Sequence, residues 1–102
     1  MGNKRLQLQM KLEELLDSKS VYYQAPPNRQ LTYPCIIYSK EDIDIKKADN
    51  SNYISRIRYQ IIIIDKRPDN NVIDKILELP YASYDRPYIS DNLYHDVIII
   101  YL

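Results

Sequence analysis

Between residues 4 and 18 leucine returns at helical spacing. Leu8, Leu12, Leu15 and Leu16 share one face, and Lys4, Lys11, Glu13 and Glu14 lie mostly elsewhere. This predicts an amphipathic helix capped by Asn3 and ended by Asp17-Ser18-Lys19-Ser20. Val21-Tyr22-Tyr23-Gln24 then reads as a short strand. Ala25-Pro26-Pro27-Asn28-Arg29 reads as a loop, because proline has no N–H to give a ladder.

Pro34 opens a second strand at Cys35-Ile36-Ile37-Tyr38, which runs on through the alternating apolar and charged residues Glu41 to Lys46. Lys47 to Asn52 is polar and turn-like, and Tyr53 to Asp65 is a long third strand. The two strands suit a long projecting antiparallel hairpin, apolar at its base and charged toward its tip. With Lys46 facing Tyr53, Glu41 falls opposite Arg58, and Cys35 to Tyr38 lie beside Ile61 to Ile64. At roughly 3.3 Å per residue the arms would be roughly 40 Å long.

Lys66 to Asn71 is a loop in which Asp69 or Asn71 can cap a second helix. Val72, Ile73, Ile76 and Leu77 give that helix its apolar stripe, and Pro80 stops it. Tyr81 to Ile89 reads as an edge strand because of Pro87, Ser90-Asp91-Asn92 as a turn, and Leu93 to Leu102 as the last strand. The order is α-β-β-β-α-β-β over a single domain, residues 1–102. This is an α+β fold, one mostly antiparallel sheet with both helices on one face.

Ile61 to Ile64 and Val97 to Leu102 carry no charge and are apolar on both sides, so both faces of the sheet need cover. Helices supply one layer. The second layer comes either from a curved sheet folded over itself or from another subunit.

Composition narrows the function. Fourteen Lys and Arg balance fourteen Asp and Glu, which argues against a general nucleic-acid or anionic-membrane binder and eases association. Gly2 is the only glycine, so no glycine-rich phosphate loop or dinucleotide fingerprint can form. Cys35 is the only cysteine, which rules out an internal disulfide and a thiolate zinc cluster and fits a reducing compartment. The opening residues lack a signal-peptide core. They match a myristoylation site only loosely, with Leu6 where Ser or Thr is preferred, and no apolar run is long enough to span a bilayer.

Candidate chemistry is sparse. His95, the only histidine, sits among carboxylates and reads as a strand histidine bonded to a neighbour. Cys35 and His95 could form a nucleophile pair on paper, but a cysteine in an apolar strand is usually inert. Glu41, Asp42 and Asp44 read as a solvated charged face rather than a cation site. Eleven tyrosines, without a basic excess, fit protein interfaces or core packing better than base stacking.

A set of segments, in order, carries a family resemblance. They are Tyr33-Pro34-Cys35-Ile36-Ile37-Tyr38, Ala48-Asp49-Asn50 with Tyr53, Arg58-Tyr59-Gln60, and Ile64-Asp65-Lys66-Arg67-Pro68-Asp69. Leu79-Pro80, Tyr84-Asp85-Arg86-Pro87-Tyr88 and Asp91-Asn92-Leu93-Tyr94-His95-Asp96 complete it. Over residues 12–102 the chain resembles the small tail-completion or tail-terminator proteins of long-tailed bacteriophages. The resemblance implies a structural, non-enzymatic virion protein without cofactor or metal, assembled in the host cytoplasm. It implies a ring, usually of six copies, that caps the tail tube and docks on the neck or head-closure protein, with no membrane and with DNA at most passing through.

The interface expected on this reading has two parts. The hairpin supplies Glu41, Asp42, Asp44, Lys46, Lys47, Asp49, Tyr53, Arg56 and Arg58, with its charged tip toward the tail tube or the neck. The end of the sheet supplies Tyr84, Arg86, Tyr88, Tyr94 and His95. The alternatives are a small cytoplasmic protein-binding adaptor module and another head–tail neck component.

Overall fold

The computed structural model describes residues 3–24, 31–47 and 53–102, with 43–47 and 53–55 as backbone alone. The expected loop Ala25–Arg29 and the hairpin turn at 48–52 lie outside the described residues. The elements are α1 (Lys4–Leu16), β1 (Val21–Tyr23), β2 (Cys35–Lys47), β3 (Tyr53–Asp65), α2 (Val72–Leu77), β4 (Ala82–Ser90) and β5 (Leu93–Tyr101). The fold is α+β in the predicted order, with a five-stranded sheet arranged β1-β2-β3-β5-β4. Every pairing is antiparallel except β1 with β2. The long connection between β1 and β2 leaves room for the chain to cross over and enter β2 in the same direction.

Asn3 caps α1 as expected, its Oδ1 accepting from the backbone N–H of Arg5 at 2.9 Å and of Leu6 at 3.3 Å. The helix stops at Leu16, two residues short of the expected end. Asp17 turns left-handed (φ 58°), and the chain closes on the carbonyls of Glu13 and Glu14. α2 corrects a second expectation. Asn71 stands at its cap but in a helical conformation, without a side-chain bond, and the Val72 N–H is met by Asn70 Oδ1 at 2.9 Å instead. Asn70 also donates to Oδ2 of Asp65 at 2.8 Å, and Asp65 Oδ1 accepts from Lys66 N at 2.7 Å. These bonds satisfy a buried carboxylate and hold the turn from β3 into α2.

The hairpin register is right at the base and shifted beyond it. Cys35↔Ile64 through Lys40↔Tyr59 pair as expected, but a bulge between Lys40 and Asp42 leaves Glu41 as an extra residue. Asp42, not Glu41, then faces Arg58, and Lys47, not Lys46, faces Tyr53. Glu41 keeps its charge partner, with Oε2 at 3.2 Å from Arg58 Nε. β4 lies at the sheet edge, where Pro87 costs no ladder bond on its open side. Asp91 and Asn92, both left-handed (φ 53° and 62°), make the tight turn into β5.

Both helices pack on one face. Leu8 and Leu12 of α1 and Val72 and Ile76 of α2 join Ile36, Tyr38, Tyr59, Ile61, Ile63, Ile98 and Ile100 in a single buried cluster. The strand period places Cys35, Ile37, Ile62, Ile64, Val97 and Ile99 on the reverse face. Cys35 and Val97 are fully buried and Ile64 and Ile99 nearly so, outside the helix-side cluster. Ile37 and Ile62, directly paired across β2 and β3, are only half-buried.

One polar contact runs through the core. The Tyr38 hydroxyl, on a fully buried side chain, donates to Gln9 Oε1. Gln9 Nε2 donates to the Val21 carbonyl at 2.9 Å and to Glu13 Oε2 at 3.1 Å, so one amide ties α1 to β1 and β2. Gln9→Leu should lower stability by about 1–3 kcal/mol, because it removes the acceptor that the buried tyrosine hydroxyl donates to. Adding Tyr38→Phe should cost less than the two single changes summed, and urea unfolding of the four proteins measures the difference. Strict additivity would mean that the bond contributes nothing.

Candidate assembly surface

The predicted interface residues fall into two groups at different parts of the sheet. On the hairpin side, Glu41 and Asp42 are exposed at the bulge. No hydrogen bond reaches the buried Arg58 Nε among the described residues; the Glu41 carboxylate lies 3.2 Å from it, and Asp42 faces Arg58 in the register. The side chains of Asp44, Lys46, Lys47 and Tyr53, and all of Asp49, lie outside the described residues.

β4 and β5 bring the other group together. Tyr84 donates its hydroxyl to Asp96 Oδ1 at 2.7 Å. Desolvation, together with this bond and the negative charge it brings, pushes the Tyr84 pKa up to about 12. Tyr88 and His95, opposite each other in the register, stack with ring centroids 4.5 Å apart. His95 Nδ1 lies 3.0 Å from the Leu93 carbonyl, and Arg86 pairs with Asp85 at 2.7 Å while lying over the Tyr88 ring. Tyr94 is half-buried between Ile89 and Asp65 in the ladder. Tyr84, Tyr88 and Ile89 are exposed on the edge strand β4, a combination of aromatic surface and open backbone that suits a protein contact.

Arg56 joins neither group. Its guanidinium lies 4.2 Å from the ring centre of Tyr81, a residue the sequence reading did not select. Tyr81 is 63% exposed and left-handed (φ 63°), an unusual conformation for a bulky side chain. Together they border a groove of about 400 Å³ between α1, the turn from α2 into β4, and the end of β5. Lys4 and Lys11 border it from α1. The sequence signal was there in part, since Lys4, Leu8 and Lys11 stand along one side of a helix.

The geometry gives Cys35 and His95 no shared chemistry. They occupy one row of the sheet, Cys35↔Ile64↔His95, with β3 between them. Two strand spacings make about 10 Å, beyond hydrogen-bond reach. Burial, with a smaller contribution from the Asp65 carboxylate, raises the Cys35 pKa from 9.0 to about 11. The raised value means that the native state holds the thiol proton more tightly than the unfolded chain. Its stabilising contribution is complete below pH 9 and is lost as pH rises toward 11. The thiol in the folded protein should therefore resist a disulfide reagent at pH 8 and react at once in denaturant. Rapid labelling of the native chain would contradict the buried placement.

Among the described residues no three His, Cys, Asp or Glu side chains gather to hold a metal ion, and no helix is long and apolar enough to cross a membrane. A scan against protein-family models and a search of curated proteins found no match.

Proposed function

We propose that this chain is a non-enzymatic structural subunit that forms a ring at the head-proximal end of a phage tail, capping the tail tube and joining it to the neck. The carrying observation is the presence of two dissimilar surfaces on one sheet. One is the exposed β4 edge with Tyr84, Tyr88 and Ile89; the other is the outer hairpin beyond the last pairings with β1 and β5. β1 pairs with β2 as far as Tyr38, and β5 pairs with β3 as far as Arg58. Past those points β2 and β3 pair with each other, and the molecule measures 52 × 23 × 23 Å, which supports a projecting arm. Unlike surfaces favour head-to-tail contact between copies, the geometry that closes into rings.

The sequence resemblance supplies the tail and neck partners; the zero net charge and the tyrosine content agree with assembly. Native mass measurement of the purified protein, alone and mixed with tail-tube protein, tests the reading. A closed oligomer, alone or on the tube, is the expected result. A chain that stays monomeric and does not bind tubes sinks the assignment.

A further inference from the structure

We propose that the open edge of β4 pairs antiparallel with β4 of a second copy, in one register, to give a two-fold dimer of the free chain. The inference goes beyond the ring reading, because a pair that closes on itself is not a ring contact. The same edge serves the ring, so copies leave the dimer as they load onto the tube. The sheet has two edges, β1 and β4. β1 is three residues long and partly closed by its own chain. The Val21 N–H donates to the Lys19 carbonyl at 2.8 Å, and the Val21 carbonyl accepts from Gln9 Nε2 at 2.9 Å. β4 is nine residues long and exposed from Ser83 to Ser90.

The two ends of β4 fix which backbone groups point outward. Tyr101 N donates to the Tyr81 carbonyl, so Tyr81 faces β5, and alternation turns Ala82 and Tyr84 outward. At the other end the Asp91-Asn92 turn joins the pair Ser90↔Leu93, so Ser90 faces β5 while Ile89 and Pro87 point outward. The bulge between Tyr84 and Arg86 shifts the phase between these two sets. The ladder partners of the four outward residues are Ile100, Ile98, Asp96 and Tyr94, which alternate along β5. All four side chains therefore share the face of Ile98 and Ile100, the helix side.

A bulge and a proline ordinarily protect an edge, because few strands can match them. A second β4 can. Setting Ala82 against the partner's Ile89 also sets Tyr84 against the partner's Pro87, and symmetry then matches all four outward residues. No other register matches more than two of them. The Ile89 N–H meets the partner's Ala82 carbonyl, and the Tyr84 N–H meets the partner's Pro87 carbonyl. Neither bond needs the N–H that proline lacks, nor the Ala82 N–H, which bonds the Leu79 carbonyl at 3.3 Å. The side chains agree. Ile89, 66% exposed, comes beside the partner's Ala82, and Tyr84, 44% exposed, beside the partner's Pro87. Asp85 comes opposite the partner's Arg86. These two already pair within one chain at 2.7 Å, so the contact gathers four charges of alternating sign rather than supplying a missing partner.

Charge substitution in two separate chains tests the register. Asp85→Arg alone and Arg86→Asp alone should each weaken the dimer about 10-fold, since each sets like charges opposite one another. Mixing the two variants should restore a one-to-one heterodimer, read by sedimentation and native mass, and its formation requires that both have folded. A second readout needs no substitution. In the unaltered chain the Tyr84 and Ile89 amides should gain exchange protection as concentration rises through the dimer range. A chain that never forms a dimer, a dimer that neither substitution weakens, folded variants that do not recover on mixing, or Tyr84 and Ile89 amides that exchange freely in the dimer would each overturn the edge pairing. The ring reading is judged separately, by whether the chain closes on tail tubes.

Discussion

Removing residues 42–52 and closing the hairpin with a short turn should leave a folded protein that no longer assembles or joins heads to tails. Every described residue of the buried cluster lies outside the deleted stretch, Leu8, Leu12, Tyr38, Tyr59, Ile61 and Ile98 among them. The base register from Cys35↔Ile64 to Lys40↔Tyr59 also survives. A surface deletion of this kind should change unfolding free energy by about 1 kcal/mol or less, since closing a shorter loop costs slightly less entropy. Assembly is a different matter, because the deletion takes away the acidic strand and its isoleucines. The readouts are thermal unfolding for the fold and particle yield with tail length for function. Infectious particles with tails of normal length would show that the outer hairpin has no joining role.

The second large effect contrasts two adjacent isoleucines on opposite faces of β3. Ile61 is fully buried, between Tyr38 and Ile98 on the helix side. Ile62 is half-buried, between Ile37 and Val97 on the reverse side. Ile61→Ala should cost about 2–5 kcal/mol, through lost transfer energy and a cavity that the sheet cannot collapse. That is a large share of the roughly 5–15 kcal/mol available to a domain. Ile62→Ala should cost about 1–2 kcal/mol in the monomer, because less of its surface leaves water on folding. Denaturant unfolding at concentrations that keep the chain monomeric separates the two. Equal costs would show that the reverse face is a second full core and needs nothing from a neighbour. A cost at Ile62 that grows in the assembled state would show a subunit covering that face.

Much of this architecture is legible in residue patterns. Leucine at helical spacing located α1, Asn3 marked its start, and Pro87 marked the edge strand. The isoleucine runs located β3 and β5 but could not say how the reverse face is hidden, because a doubly apolar strand reads alike whether its own sheet or a partner covers it. The bulge was hidden for a specific reason. Glu41 and Asp42 are both acidic, so either satisfies Arg58, and charge pairing does not choose the register. The parallel direction of β1 was hidden because three residues carry no directional signal. The groove was hidden because Lys4, Arg56, Tyr81 and Leu102 meet only after both ends of the chain have folded together.

The bulge at Glu41 has an evolutionary consequence. It works as a phase offset between the two halves of β2. The inner half is locked by the core from Cys35 to Lys40, while the outer half keeps its own reading frame against β3. Loss of the single codon for Glu41 would close the bulge with every outer pair kept, from Asp42↔Arg58 to Lys47↔Tyr53, while the local kink and the Glu41–Arg58 ion pair disappear. The core would not register the change. Two lineages could thus diverge in the bend and twist of the outer hairpin by one insertion or deletion, without passing through an unfolded ancestor.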